Sequence, residues 1–291
     1  MNRFFTVFPS LLLTAFSCLG VSAASAQTTG EEFHGLAWDT SHAGTPLDLS
    51  AYRETFRDDF DKMDITAADG TGPWYAAVHG PFGAGIFLPP GPQNTYSVAG
   101  GILTLRSQRV NGQWQSGLIQ TVDKQGHGFA QQYGYFEMKA KFPPGAGGWP
   151  AFWLLTQNGF LDKKATRGEI DIVEWYGSDP RHHHASIHLW PAAKPPPGTL
   201  AKHVGLSHIS NLSPVLVDGQ LKDFHTYGAE ITPEWIIIYF DRKEFERIKT
   251  LPEYKTPVYM LVNLAIIKKE ADKAESPKDM NVDNVTAYVR R

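Results

Sequence analysis

The chain has 291 residues, 42% of them hydrophobic and 12% aromatic, with eight tryptophans, one cysteine and a formal charge of −3. The near balance of 27 basic and 30 acidic side chains excludes the strongly positive field that a nucleic-acid or anionic-membrane partner requires. With Cys18 as the lone cysteine, intramolecular disulfides and thiolate-clustered metal sites are excluded as well, and the folded body must be held by its core.

Residues 1–26 read as a secretory signal peptide. Arg3 supplies the positive start, an apolar run follows from Leu11 to Val21, and Ala24-Ser25-Ala26 has the small-residue pattern of a cleavage site. The apolar run is well short of the roughly 20 residues that span a bilayer. Ala15-Phe16-Ser17-Cys18 is a poor version of a lipoprotein site, so simple export is expected, to a secreted or periplasmic location, with a mature start at Gln27. Residues 27–53, rich in Gly, Thr, Ser, Pro and Ala without a sustained period, read as an irregular segment.

From about Thr55 the pattern is that of strands. The clearest is 135–142, where Phe136, Met138, Ala140 and Phe142 alternate with Tyr135, Glu137, Lys139 and Lys141. Further strands are predicted over 96–106, 117–122, 149–155, 168–176, 185–190, 224–231, 235–240, 258–266 and 282–289, separated by clusters such as Pro143-Pro144-Gly145. So many strands without intervening amphipathic helices argue for an antiparallel sandwich or barrel that fills 54–291 as one domain. Residues 190–220, with Pro195-Pro196-Pro197-Gly198, read as a long surface excursion, and 268–280 as a loop or short helix.

One predicted strand carries a conflict. Gly168-Glu169-Ile170-Asp171-Ile172-Val173-Glu174-Trp175 threads three carboxylates through three β-branched apolar residues. Alternation puts Glu169 and Asp171 on one face with Ile170 and Ile172 on the other, and sends Glu174 to the opposite face from Glu169. One extra residue, a β-bulge near Ile172 and Val173, would return Glu174 to the face of the other two. With the bulge all three acids line one surface, and two carboxylates flanking a scissile bond are what glycoside hydrolysis needs, one to protonate the leaving oxygen and one to attack the anomeric carbon or activate water. The alternative is a solvated strand face with ion-pair partners.

The Glu169-Ile170-Asp171-Ile172-Val173-Glu174 stretch resembles the ExDxxE signature of glycoside hydrolase family 16. Phe56-Arg57-Asp58-Asp59-Phe60-Asp61, Tyr133-Gly134-Tyr135-Phe136-Glu137, Gly148-Trp149-Pro150-Ala151-Phe152-Trp153, Phe224-His225-Thr226-Tyr227, Leu261-Val262-Asn263-Leu264-Ala265 and Met280-Asn281-Val282-Asp283 resemble further segments of that family, in its order. The resemblance implies an all-β jelly-roll sandwich of two curved antiparallel sheets and retaining hydrolysis of an internal β-glycosidic bond without a required cofactor. It also implies Glu169 as nucleophile, Glu174 as acid/base and Asp171 as assistant. Trp149, Trp153 and Trp175 are expected to stack on sugar rings, with plain core as the alternative for each. His188 and Asn263 are expected near the substrate, or else as hydrogen-bonded strand residues. Asp59 and Asp283 are candidate ligands for a structural calcium of the kind the family often binds. The expected partner is a polysaccharide, a β-1,3/1,4-linked glucan or a bacterial exopolysaccharide, acted on by a monomer.

Two other readings share this fold, a transglycosylase and a non-catalytic carbohydrate-binding jelly roll. Three clustered carboxylates argue against the pure binder. His182-His183-His184 with His188 suggests zinc, but on a strand His184 and His188 would lie about 13 Å apart at roughly 3.3 Å per residue, so a solvated turn is expected instead.

Overall fold

The structure is a computed structural model that describes residue 33 and residues 35–76, 78–216 and 221–291. The expected signal peptide and the expected mature start at Gln27 lie outside the described residues. Eighteen strands follow one another in them. The first nine are β1 (Tyr52–Asp58), β2 (Ile65–Ala67), β3 (Trp74–Ala76), β4 (Gly85–Phe87), β5 (Tyr96–Ala99), β6 (Ile102–Val110), β7 (Gln113–Ser116), β8 (Leu118–Gln120) and β9 (Gly134–Lys141). Then come β10 (Gly148–Thr156), β11 (Arg167–Glu174), β12 (His182–Trp190), β13 (Val204–Asn211), β14 (His225–Ile231), β15 (Trp235–Phe240), β16 (Lys243–Lys249), β17 (Val258–Ile266) and β18 (Lys278–Arg290).

They form two sheets. One has the order β16-β15-β14-β9-β18-β6-β7-β4, with β1 paired to β18 and β5 to β6; the other has the order β13-β12-β11-β10-β17-β8-β3-β2. Pairing is antiparallel except for the short β2/β3 and β4/β7 pairs. The jelly-roll sandwich expected from the sequence is therefore the fold found, with two short parallel pairs added.

Alternation decides where the core sits. Phe136, Met138 and Ala140 of β9 meet Phe152 and Leu154 of β10, Ile170, Ile172 and Val173 of β11, and Ile187 of β12 in one buried cluster between the sheets. The opposite face of β10 and β17 carries a second, smaller cluster of Ala151, Trp153, Leu155, Tyr259 and Leu261, with Phe82 and Trp149 at its edge. This second cluster is the floor on which the site is built.

Three predicted elements differ. The 96–106 strand is a hairpin, β5 turning into β6 at Gly100 and Gly101, both at positive φ. Residues 190–220 contain the edge strand β13, whose alternating exposure left a polar sequence without an apolar stripe. The histidine run is no solvated turn: it opens β12, and His183 is fully buried between Tyr227 and Phe245 with neither ring nitrogen hydrogen-bonded.

Candidate active site

β11 lies between β10 and β12, and both ladders record the same irregularity. Against β10, Val173 pairs with Phe152 and Asp171 with the next residue, Trp153, so Ile172 is the extra one. Against β12, Asp171 pairs with Ser186 and Glu174 with His184, three steps against two. The bulge thus falls where the sequence required it. Ile172 and Val173 both go into the core, and Glu174 returns to the face of Glu169 and Asp171.

The three carboxyls line one cleft of ≈ 380 Å³, together with His79, Phe82, Trp149, Trp153, Trp190 and Asn263. Each acid has its own partner. The Trp190 indole N–H donates to Glu169 Oε2 at 2.9 Å, and that of Trp149 donates to Glu174 Oε1 at 2.9 Å. The Tyr176 hydroxyl reaches Glu174 Oε1 at 3.3 Å. His188 Nε2 lies 3.1 Å from Asp171 Oδ2. Behind the strand, Tyr254 donates its hydroxyl to the His188 carbonyl at 2.9 Å. Its ring fits there because residue 168 is glycine; a Cβ would sit 2.6 Å from it.

Burial dominates the electrostatics. It pushes Glu169 up to about 8, helped by the neighbouring Asp171 carboxyl and opposed by His188 and the Trp190 N–H. Burial raises Asp171 well above the usual carboxylate range, with Glu174 adding to it. Glu174 is raised by burial against the lowering effects of His188, Trp149 and Tyr176. Three such groups cannot all be charged at neutral pH, so the cluster holds at least one proton. A site that both donates and accepts needs that proton.

Trp149 and Trp153 line the cleft, although Trp153 is only 4% exposed and donates its indole N–H to Asn263 Oδ1 at 2.8 Å. Asn263 is fully buried beneath it, and His188 lies behind Asp171. Trp175 is a correction. It follows Glu174 by one residue, so the pleat turns it inward, and it is fully buried against Phe142 in the main core. The calcium pair does not fit either: Arg57 binds both oxygens of Asp59, at 2.7 and 2.6 Å, and Lys139 holds Asp283 at 2.7 Å. Calcium takes six to eight oxygens, and these two carboxylates already carry cations.

Among the described residues, Glu169, Asp171 and His188 are the one trio whose ligand atoms lie within 4.8 Å of one another. Those atoms are occupied by hydrogen bonds, to Trp190 and between Asp171 and His188, so the trio reads as a proton-holding network. Trp190 and Tyr176 were missed by the sequence reading. The same alternation finds both, since Trp190 is two residues from His188 and Tyr176 two from Glu174.

The sequence profile of the Glycosyl hydrolases family 16 matches residues 92–285. Two curated proteins of Rhizobium meliloti (strain 1021), the endo-1,3-1,4-beta-glycanases EglC and ExsH, are each 31% identical, over 90% and 92% of this chain. The chain spans 56% and 57% of their lengths, about half of each relative. Among solved structures, the non-specific endo-beta-1,3(4)-glucanase SCLam is similar, with a TM-score of 0.64 and 23% identity over 87% of this chain and 97% of that one. The laminarinase catalytic domain of Thermotoga petrophila RKU-1 has a TM-score of 0.63 and 20% identity over 82% and 98% of the two chains. At such identities the structures speak to the fold, which is the same. The profile match, spanning the bulged strand and its neighbours, shows that the chain belongs to glycoside hydrolase family 16.

Proposed function

We propose that the protein is an exported, monomeric, endo-acting retaining β-glycosidase that cleaves internal linkages of a β-1,3/1,4-linked glucan or a bacterial exopolysaccharide. The observation that carries this reading is the bulge, which puts Glu169 and Glu174 on one wall of a tryptophan-lined cleft with Asp171 between them. Both acids come from one strand of one chain, which supports action as a monomer. The productive form of the cluster has Glu169 ionised and Glu174 protonated, a minority form at neutral pH because burial raises Glu169; in it Glu174 gives its proton to the leaving glycosidic oxygen while Glu169 attacks the anomeric carbon, forming a glycosyl ester. Glu174 then takes a proton from water as that water displaces Glu169 with a second inversion. Asp171, bonded to His188, keeps one charge or one proton beside the nucleophile as the ester forms and breaks.

The names of the Rhizobium relatives support the linkage class. The test is reducing-end release from laminarin, lichenan, agarose and a succinoglycan-type polymer, with product anomers followed by NMR. β-Anomers formed first, and a Glu169→Gln variant that binds but does not cleave, are expected. Unchanged release by that variant overturns the reading, and oligosaccharides longer than the substrate would point to transglycosylation.

A further inference from the structure

Asp171 is not the end of its hydrogen-bond chain. His188, whose Nε2 meets Asp171, has its Nδ1 3.0 Å from Nε2 of His203, an exposed residue in the connection between β12 and β13. The His203 ring also stacks on Trp190, with centroids 3.8 Å apart and planes 23° from parallel. Trp190 is the residue that donates to Glu169. One exposed imidazole therefore touches the partners of two of the three acids. Gly205 keeps the approach open, because a Cβ there would sit 2.3 Å from His188 Nδ1.

We propose that His203 is a positioning residue for the carboxyl cluster, fixing the Trp190 ring against Glu169 and completing a two-imidazole path that carries a proton between Asp171 and solvent. The inference rests on the glycosidase reading for its consequence, though not for its geometry. The path balances without any other reactant. The Asp171 Oδ2 proton passes to His188 Nε2, the His188 Nδ1 proton passes to His203 Nε2, and the His203 Nδ1 proton leaves to water. The reverse series reloads Asp171. In one resting form Asp171 is neutral and donates to His188; in the other it is ionised, and His188 donates to it while accepting from His203. The charged or titratable groups around this path are His188 on β12, Glu169, Asp171 and Glu174 on β11, Tyr254 behind His188, and Lys202 beside His203. Burial and the nearby His188 both lower His203, which favours the neutral ring that the path requires.

Two variants separate the two roles. His203→Phe keeps a ring over Trp190 without nitrogens, and His203→Ala removes both. In His203→Phe, His188 Nδ1 loses its partner, so the His188 tautomer read by ¹⁵N-imidazole NMR is expected to shift toward Nδ1–H. Without the His203 N–H to donate to His188 Nδ1, the form with ionised Asp171 is disfavoured, so the cluster keeps its proton longer and the acid limb of the kcat/KM profile moves to higher pH. His203→Ala is expected to show the same shift plus a further loss in kcat of about tenfold, the size of one charge-assisted hydrogen bond. Thermal melts confirm that both variants fold. An identical His188 tautomer in wild type and both variants overturns the proposal, whether or not any glucan is cleaved. A wild-type protein that cleaves no polymer yet shows the NMR shift would retire the glycosidase reading and leave the path standing.

Discussion

The Trp149 indole nitrogen lies 2.9 Å from Oε1 of Glu174, so the residue that offers a sugar-stacking ring also holds the general acid. This contact lowers the Glu174 carboxyl against the rise caused by burial. Trp149→Phe keeps a ring and removes the donor, so Glu174 should rise and stay protonated to higher pH. The alkaline limb of kcat/KM is expected to move up by about half a unit or more, with a loss in kcat/KM of roughly tenfold. A profile with an unmoved alkaline limb would show that the contact does not govern the acid.

Glu169 gives a stability signature opposite to its catalytic one. An unfolded glutamate ionises near 4.5, whereas the folded group is pushed up to about 8. Between those values the unfolded chain has released a proton that the folded one still holds, so stability falls as pH rises through the window. The neutral Glu169→Gln side chain removes that slope. The variant should match wild type near pH 4 and be more stable by roughly 4 kcal/mol near pH 8, while losing activity. Denaturant unfolding at the two pH values checks this, and equal stability at pH 8 would count against a nucleophile raised by burial.

His183 runs the other way. Burial lowers it from 6.5 to about 3, and neither ring nitrogen is hydrogen-bonded. As pH falls from about 6.5 toward 3 the unfolded chain takes a proton that the folded chain refuses, so stability drops. His183→Phe, set among Tyr227, Phe240 and Phe245, should remove this acid lability and gain about 2 kcal/mol at pH 5 relative to pH 8. Unfolding curves of the two proteins that run parallel in pH would contradict it.

Trp175→Ala should cost about 3–5 kcal/mol, as expected for emptying a buried aromatic site. Trp175→Phe should cost less and leave KM for a glucan unchanged, whereas Trp149→Ala should raise it. A raised KM for Trp175→Phe in a folded protein would put that side chain back in the cleft.

The active strand was legible because its conflict was internal: three acids among β-branched residues, with a spacing of five that only a bulge can reconcile. The same arithmetic, carried one residue further, places Trp175 in the core, and the tryptophan's chemistry obscured it. β16 was illegible for a different reason. Its buried positions are Glu244 and Glu246 as well as Ile248, with Arg247 paired to Glu244 and His208 Nδ1 lying 2.8 Å from Glu246 Oε2, so the strand shows no apolar stripe. His203 lay in a Pro-rich stretch with no period, and only the tertiary fold brings it to His188 and Trp190.

The additional residue in β11 acts as a phase shift on everything after it. Upstream, odd-numbered positions face substrate; downstream, even-numbered ones do. Substitutions at Ile170, Ile172 and Val173 should then be graded in effect by size, as in any core. A one-residue insertion or deletion there would exchange the lining of the site for its packing, sending Glu174 and Tyr176 inward and Trp175 out. The segment is tolerant of spelling and intolerant of length, and a library of single-codon indels across β11 would see that difference as a gap in the surviving sequences.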